Sequence, residues 1–251
     1  MVKVIIQGYS GRMGQALCRL INERKDCVVV AGVDKTAQNA STVPVSPSLA
    51  ECTVHADVLI DFSNPSATAA AVPVCAEKKL PCVICTTGLG DTLEAELLTL
   101  SKTVPVFKSA NMSMGINLLV ELAKKANALL GTAYDVEIIE KHHHNKLDAP
   151  SGTALMIGDA IKAASPAPYE YVYDRHTRRQ ARAANEIGMH AVRGGSIVGE
   201  HEVLFCGQDE VITLSHSAAS RDVFANGAIN AAVFIADKAP GMYSMKEMLQ
   251  L

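Results

Sequence analysis

The chain is predicted to be an α/β protein with two domains, and the order of its strands and helices carries this prediction. From Val2 to Phe107, short apolar strands alternate with helical segments, as in sheets whose parallel strands are joined by right-handed crossovers. The alternation stops after Met114, where a long amphipathic helix is followed by strands separated by glycine turns. We therefore expect a parallel sheet in the first domain and an α+β second domain with a mixed or antiparallel sheet.

The first strands and helix form a βαβ unit with the features of a dinucleotide-binding site. Strand Val2–Gln7 ends at the glycine turn GYSGRMG, and a helical stretch leads to the strand Cys27–Val33. Asp34 follows that strand, 20 residues beyond Gly14. The N–H groups at the start of such a helix bind a pyrophosphate, and an acid at this distance binds the adenine ribose. The unit predicts a Rossmann-type domain, although GxxGxxG is a weaker signal than GxGxxG and a βαβ unit without a ligand is the alternative.

The residues after the second strand leave the choice between NADH and NADPH open. Asp34 can accept hydrogen bonds from both ribose hydroxyls, which favours NADH. Lys35 follows it and can pair with a 2′-phosphate, which would admit NADPH.

The remaining strands of the first domain are expected to end at the same edge of the sheet as the glycine turn. Strands are predicted at Val58–Asp61, Pro81–Cys85 and Val104–Phe107, and helices at Ser66–Lys79 and Leu93–Ser101. The turns DFSNP, TTG and SANM follow these strands. Ligands of parallel sheets bind beyond the carboxyl ends of the strands, so all three turns are expected to face the cofactor. The polar stretch Thr36–Pro47 is predicted to be a loop.

The second domain is expected to span residues 114–221, between the two parts of a cofactor domain at 1–113 and 222–251. A helix is predicted at Ile116–Leu130, and a short buried strand includes Val136, Ile138 and Ile139. Antiparallel strands with glycine turns are predicted at Met189–Arg193, Ile197–Phe205 and Glu210–Ser217. A last helix, Val223–Ala239, is expected to pack back on the first domain.

The stretch EIIEKHHHNKLDAPSGTA, residues 137–154, places titratable side chains between a strand end and a helix start. A helix N-terminus binds anions through its unpaired N–H groups, and Gly152 lets a ligand approach them closely. The Thr153 hydroxyl can add a donor. Histidine exchanges protons near neutral pH, and Lys146 can pair with a carboxylate. The stretch therefore suits a small anionic substrate that must be held and protonated.

Less specific interpretations apply to several residues of this stretch. His144 is expected to be solvent-exposed or to make only a local hydrogen bond. Asp148 fits a turn or cap as well as a catalytic role, and Ser151 fits a plain N-cap. A metal site using His142 and His144 is an alternative, but no second cluster at ligand spacing supports it, and no metal is predicted.

Composition excludes several classes of protein. Of the 251 residues, 49% are hydrophobic and 20% charged, and the net charge of −3 gives no sign of nucleic-acid or membrane binding. The N-terminus begins directly with a strand, which leaves no room for a signal peptide. The seven cysteines are scattered through apolar sequence, as expected for reduced thiols. The expected location is the cytoplasm.

Several of these motifs together resemble one known family. GYSGRMG, DVLIDFSNP, TTGL, SANMSMGIN, EKHHHNKLDAPSGTA, RGGSIVGEHEV and SRDVFANGA have counterparts, in this order, in the 4-hydroxy-tetrahydrodipicolinate reductase family, also called the dihydrodipicolinate reductase family. EKHHHNKLDAPSGTA is the most specific of them. The resemblance covers the whole chain. It implies a homotetramer built through the sheet of the second domain.

The resemblance also implies a reaction and a set of site residues. NADH or NADPH would give a hydride to C4 of a cyclic imine dicarboxylate after loss of its 4-hydroxyl as water, a step of lysine biosynthesis through diaminopimelate. His142 would be the proton donor and acceptor and Lys146 a second proton donor. His143, Gly152 and Thr153 would hold the substrate carboxylates. Together with Lys35, the expected cofactor-binding residues are Gly8, Tyr9, Ser10, Gly11, Arg12, Met13, Asp34, Thr86, Thr87, Gly88, Ser109, Ala110, Asn111 and Met112.

Two positions depart from the family pattern, and other functions remain open at this point. Asn64 stands where many relatives have an arginine near the cofactor, and His144 stands where the family often has an arginine or lysine. Neither change affects the proposed acid. The alternatives are another nicotinamide-dependent reductase of a small dicarboxylic acid, a histidine-ligated metal hydrolase, and a non-catalytic NAD sensor with redox-active cysteines.

Overall fold

The computed structural model describes residues 1–36, 43–166, 168–176 and 178–251, which form two compact units. The first unit comprises Met1–Met114 and Asp222–Leu251, and the second comprises Gly115–Arg221. Part of the predicted loop Thr36–Pro47 lies outside the described residues. Of the described helices, none combines enough length with enough apolar sequence for a transmembrane span.

The first unit contains a parallel sheet of seven strands, which confirms the predicted fold class. The strands are β1 (Val2–Gln7), β2 (Cys27–Val33), β3 (Val45–Ser46), β4 (Val58–Asp61), β5 (Cys82–Ile84), β6 (Pro105–Lys108) and β12 (Gly241–Tyr243). Their order across the sheet is β12-β6-β5-β4-β1-β2-β3, and every pair is parallel. The sequence did not predict β3 and β12, because two or three residues are too few to show a period.

Helices cover both faces of this sheet, since successive side chains of each strand point to opposite faces. The helices are α1 (Arg12–Asn22), α2 (Pro65–Lys78), α3 (Gly90–Leu100), α6 (Asp222–Ile235) and α7 (Met245–Leu249). Val4 and Ile6 of β1 pack in one core with residues of α1 and α6. Ile5 packs in a second core with residues of α2 and α3. Helix α6 packs on the first unit as expected, but it ends at Ile235 rather than at Ala239.

The second unit contains a mixed sheet of five strands and two helices. The strands are β7 (Asp135–His142), β8 (Glu170–Val172), β9 (Glu186–Arg193), β10 (Gly199–Cys206) and β11 (Val211–Ala218). The helices are α4 (Met114–Leu130) and α5 (Gly152–Ala163), and the short 3-10 turn Gly131–Ala133 follows α4. The strand order is β11-β10-β7-β9-β8, with β7, β8 and β9 parallel to one another and β10 antiparallel to both β7 and β11. Side chains of α4 and α5 pack with those of the central strands in a third core.

The position of β7 corrects one expectation from the sequence. Strands β9 and β10 were expected to be antiparallel strands joined by a glycine turn, but β7 lies between them and pairs with both. The turn at Gly194 and Gly195 crosses the carboxyl end of β7, where the Gly194 N–H donates to the His142 carbonyl at 2.9 Å. Alternate residues of β7 are buried, and a central strand has partners for its backbone groups on both sides. The carboxyl ends of β7 and β9 and the start of β10 therefore meet at His142.

Candidate functional site

At two positions of the glycine turn in the first unit, the backbone leaves no space for any residue other than glycine. Gly8 has φ of +80°, and a Cβ there would lie 2.4 Å from the carbonyl oxygen of Phe62. A Cβ at Gly14 would lie 2.3 Å from the Gly8 carbonyl oxygen. Gly11 is the N-cap of α1, and neither a side-chain cap nor an acidic residue occupies the first turn. The N–H groups at the start of α1 are thus available to an anion.

Asp34 lies at the end of β2 and connects that strand to the glycine turn. One carboxylate oxygen accepts a hydrogen bond from the Ser10 N–H at 2.9 Å. The other accepts from the Thr36 N–H at 3.0 Å and from its hydroxyl at 2.8 Å. Burial raises the pKa of Asp34, but the hydrogen bonds from Thr36 and Ser10 outweigh it, so the pKa is below its usual value. The group is an anion at neutral pH.

A cavity of about 380 Å³ lies beside this turn, within the first unit. Four of the residues predicted to bind the cofactor line it, namely Gly8, Gly11, Asp34 and Lys35. Asn64 also lines it, and its side chain caps α2 by accepting from the Ala67 N–H at 3.1 Å. The polar turn, the carboxylate and the open helix N-terminus fit a nucleotide with a pyrophosphate.

The other predicted cofactor residues occupy different positions. Tyr9 and Met112 have buried side chains in the core of the first unit, so any ligand would meet them through the backbone only. The Thr86 hydroxyl is buried and accepts from the Ser63 N–H at 3.2 Å. The remaining positions are the exposed Ser10, Arg12, Thr87, Gly88 and Ala110 and the partly exposed Met13, Ser109 and Asn111. Ser109 and Ala110 line a separate cavity of about 440 Å³.

His142 is the last residue of β7, and its ring is held by a buried glutamate on the same strand. The carboxylate of Glu140, which is 0% exposed, lies 2.5 Å from Nδ1 of His142. The two side chains point the same way because they are two residues apart in a strand. Burial lowers the pKa of His142, and the bond to Glu140 opposes that effect only in part. The ring is therefore neutral at neutral pH.

Glu140 accepts hydrogen bonds from three parts of the second unit. Nη1 and Nη2 of Arg193, at the end of β9, donate to its two oxygens at 2.8 and 2.7 Å. The Ser151 N–H, just ahead of α5, donates at 3.0 Å. Burial raises the pKa of Glu140, but the bonds from Arg193, His142 and Ser151 outweigh it and lower the pKa. Glu140 is thus an anion that joins β7, β9 and the start of α5.

A second histidine packs against the first. The rings of His142 and His201 are 5.2 Å apart in an edge-to-face arrangement, and Nε2 of His201 lies 3.1 Å from the Ser151 hydroxyl. Burial, and next the nearby His142, lower the pKa of His201 to about 4. The two rings are therefore neutral together at neutral pH.

The start of α5 presents N–H groups beside a lysine. Ser151 is the N-cap, and its hydroxyl accepts from the Ala154 N–H at 3.2 Å. A Cβ at Gly152 would meet no atom within 4 Å, so the space above this residue is open. Lys146 pairs with the Asp148 carboxylate at 2.9 Å. Burial raises the pKa of Asp148, but hydrogen bonds from Lys146 and the Gly152 N–H outweigh it and lower the pKa. Lys146 and Gly152 together can thus hold a carboxylate.

The three histidines differ in environment. His142 is buried, His143 is partly buried with no hydrogen-bond partner for its Nδ1 among the described residues, and His144 is exposed, as expected. Sequence reasoning missed Glu140, Arg193 and His201. The spacing of Glu140 and His142 on one strand was a signal that could have found the glutamate. Arg193 and His201 lie in the stretch RGGSIVGEHEV, but nothing local connects them with His142, because other strands bring them to the site.

Comparison with known protein families gives two matches that together cover nearly the whole chain. The model of the N-terminal part of dihydrodipicolinate reductase matches residues 2–112. The model of the C-terminal part of the same enzyme matches residues 115–249.

Curated relatives match over nearly their full length. The chain is 50% identical to the 4-hydroxy-tetrahydrodipicolinate reductase of Caldanaerobacter subterraneus, covering 100% of this chain and 99% of the relative. It is 45% identical to the enzyme of the same name from Clostridium tetani, covering 99% and 97%. Among solved structures, a dipicolinate-bound dihydrodipicolinate reductase from Paenisporosarcina sp. TG-14 has a TM-score of 0.82 at 27% identity, covering 98% of each chain.

Proposed function

The chain belongs to the dihydrodipicolinate reductase family, and from that membership we propose that it reduces 4-hydroxy-tetrahydrodipicolinate to tetrahydrodipicolinate. The reductant is NADH or NADPH, and the protein is an oxidoreductase. The reaction is a step of lysine biosynthesis through diaminopimelate. The observation that carries the proposal is a buried glutamate–histidine pair beside an open helix N-terminus and a lysine, all within the second unit.

The first unit is the proposed cofactor domain. The N-terminus of α1 holds the pyrophosphate, since Gly8 and Gly11 allow a close approach to its N–H groups. Asp34 binds the adenine ribose, and Lys35, which lines the same cavity, pairs with the 2′-phosphate of NADPH. When bound, the reduced nicotinamide supplies the hydride.

The second unit is the proposed substrate domain. The substrate carries two carboxylates, as does the dipicolinate bound to the related Paenisporosarcina enzyme. The N–H groups at Gly152 and Thr153 bind one substrate carboxylate. Lys146 and His143 donate further hydrogen bonds to the substrate carboxylates. Asp148 supports this assignment, because its own carboxylate already pairs with Lys146 and with the Gly152 N–H.

His142 is the proposed proton donor and acceptor. Loss of the 4-hydroxyl as water takes a proton from a neighbouring ring carbon and puts one on the leaving oxygen, so His142 can accept the first proton and donate the second. Hydride addition to the ring then needs one further proton to complete the reduction. Since an ionised Glu140 can only accept, Nδ1 of His142 carries the hydrogen between them, and Nε2 is the atom that exchanges a proton. Lys146 is the proposed second donor.

The activity test follows NADH absorbance with freshly generated 4-hydroxy-tetrahydrodipicolinate. We expect NADH oxidation that depends on both compounds. Binding of NADH without turnover of any imine dicarboxylate would instead favour the sensor function. Metal analysis of the active protein tests the alternative of a metal hydrolase, which requires zinc or another metal. A protein that is free of metal but oxidises NADH would exclude that alternative.

A homotetramer in the cytoplasm is part of the same proposal. Strand β11 is an edge of the second sheet, and its Val211 and Ile212 are 58% and 38% exposed. An exposed apolar edge strand is suited to contact with another copy. Sedimentation equilibrium tests the assembly, and a monomer at all concentrations would contradict it.

A further inference from the structure

We propose that Glu140 is the positioning residue of this site: it fixes the His142 ring with hydrogen on Nδ1, which leaves Nε2 to exchange protons with the substrate. The inference rests on the proposed reductase function for its kinetic part. Its structural part concerns one histidine tautomer and can be measured without substrate.

The first support is the hydrogen-bond inventory of the Glu140 carboxylate. Its two oxygens face His142, Arg193 and the Ser151 N–H at distances between 2.5 and 3.0 Å. Guanidinium and backbone N–H groups are donors only, and an ionised carboxylate is an acceptor only. The remaining partner, Nδ1 of His142, must therefore donate. In a neutral imidazole this leaves Nε2 without a hydrogen.

The second support is that Arg193 keeps Glu140 ionised. The guanidinium donates to both oxygens of the carboxylate, and its Nη2 also donates to the Asp148 carbonyl at 2.6 Å. In the register of the sheet Arg193 lies directly opposite His142. A bidentate pair of this kind is stronger and more directional than a single neutral hydrogen bond. Glu140 thus remains a base too weak to take the proton of His142, and it orients the ring instead.

The third support is the connection to the anion site. The Ser151 N–H donates to the same carboxylate, and Ser151 is the N-cap of α5. One side chain therefore fixes both the ring that exchanges the proton and the start of the helix that is proposed to hold the substrate carboxylate. A change at Glu140 is expected to lower kcat more than it raises KM, because Ser151 retains its bond to Ala154.

The surroundings of His142 leave room at the atom that is proposed to react. Gly199, the first residue of β10, faces the ring, and a Cβ there would lie 3.2 Å from Nε2. The charged and titratable groups around the ring are Glu140 on its own strand, Arg193 on β9, Lys146 in the following loop and His201 on β10. Only Glu140 among them favours protonation of His142.

The competing interpretation is that Glu140 and Arg193 are a buried ion pair that only stabilises the sheet. Such a pair would affect the unfolding temperature but not the pH dependence of the reaction. A pH profile therefore separates the two roles.

The test variant is Glu140→Gln, which keeps the shape and replaces one acceptor by a donor. If His142 acts as an acid, kcat/KM falls as pH rises above its pKa. Loss of an opposite charge at this distance should move that falling limb to lower pH by about 1–3 units. We expect kcat to fall by no more than the ~10²–10⁴-fold that general acid–base catalysis typically supplies. Binding of NADH should stay unchanged.

The chain offers a matched control on the same strand. Glu137 also pairs with an arginine and a histidine, Arg182 at 2.9 Å and His190 at 2.7 Å, but its side chain points to the opposite face of β7. Glu137→Gln should leave the pH profile of kcat/KM where it is in the wild type.

Nitrogen NMR of His142 gives the readout that does not depend on activity. At neutral pH the wild type should show the hydrogen on Nδ1, and Glu140→Gln should lose that preference. A wild-type ring with its hydrogen on Nε2 would overturn the proposal, even if the variant failed to fold. An unchanged pH profile in a folded Glu140→Gln protein would overturn it as well. If the wild type has the expected tautomer but reduces no imine dicarboxylate, the positioning role stands and the proposed function fails.

Discussion

At the scale of single residues, the chemistry proposed for the second unit depends on which nitrogen of His142 carries hydrogen. A histidine at the end of a strand is ordinarily free to titrate near neutral pH. Here burial lowers the pKa of His142, and Glu140 opposes that effect with a bond to Nδ1. The result is a ring that is neutral at rest, with Nε2 available for a proton.

His142→Ala should lower kcat by ~10²–10⁴-fold, the usual contribution of general acid–base catalysis. NADH affinity should be unchanged, because every residue proposed to bind NADH belongs to the first unit. Steady-state kinetics and a fluorescence titration with NADH measure the two quantities. His144→Ala is the control and should retain activity, because His144 is exposed. A large loss of kcat in His144→Ala together with a nearly normal kcat in His142→Ala would refute this assignment and would favour the metal site.

Asp34→Ala should lower kcat/KM for NADH and spare NADPH. The Asp34 carboxylate lines the cavity beside the glycine turn and is ionised, so it can bind ribose hydroxyls but repels a 2′-phosphate. Removing it leaves Lys35 beside the cavity. Initial rates with each reductant give the ratio of kcat/KM for NADH to kcat/KM for NADPH. An equal loss for both reductants would mean that Asp34 acts by holding Ser10 and the glycine turn rather than by binding the ribose.

At the scale of secondary-structure elements, the proposed binding site for a substrate carboxylate is the backbone at the start of α5. The Ser151 hydroxyl accepts from one of the N–H groups of the first turn, and Gly152 leaves the space above the helix open. Lys146 adds a positive charge to the helix dipole. In the proposed site a carboxylate would therefore meet donors on two sides without a large pocket.

Thr153→Val tests the contribution of this helix start. Pyridine-2,6-dicarboxylate is expected to compete with the substrate, because it carries the same two carboxylates. The valine should weaken its binding by ~1–3 kcal/mol, the cost of losing a hydrogen bond to a charged group. The inhibition constant measures the effect, and Thr99→Val serves as a control, since its hydroxyl donates to the Ala95 carbonyl within α3. Equal inhibition of the wild type and Thr153→Val would place the carboxylate site elsewhere.

At the scale of the whole molecule, the second unit is marked by a group of buried ionisable side chains. Both units have apolar cores, and the second also contains the buried group of Glu140, His142 and His201. Buried ionisable groups make folding depend on pH. The second unit is therefore the part of the protein that we expect to be sensitive to mild acid.

His201 should make the protein less stable as the pH falls from about 6.5 to about 4. Its pKa is lowered from 6.5 to about 4 in the folded chain, so the unfolded chain binds more protons in this range and stability is lost on acidification. The full effect is about 3 kcal/mol. The measurement is the free energy of unfolding by urea at several pH values and constant ionic strength. In His201→Gln the decrease of this free energy on acidification should be smaller by about 3 kcal/mol. The control His144→Gln changes an exposed histidine and should show the same decrease as the wild type. If the unfolding free energy depended on pH in the same way in the wild type and in His201→Gln, this account would be contradicted.

The sequence by itself determined the features that depend on neighbours along the chain. The period of apolar residues predicted a parallel sheet followed by a mixed one, and the glycine turn and Asp34 predicted a dinucleotide site beside β1 and β2. The run of histidines before a capped helix predicted where an anionic substrate would be held. Each of these depends on spacings within a few residues, or on one βαβ unit, and such spacings are set by backbone geometry.

Only the tertiary structure decided which residues surround His142. Glu140 and Arg193 are 53 residues apart, and Ser151 and His201 are 50 apart, yet each pair is in hydrogen-bond contact. They meet because β7 takes a central place between β9 and β10, where the sequence predicted antiparallel strands joined by a glycine turn. Strand order follows from the competition of all strands for burial and for backbone partners, and local periodicity carries no record of that competition.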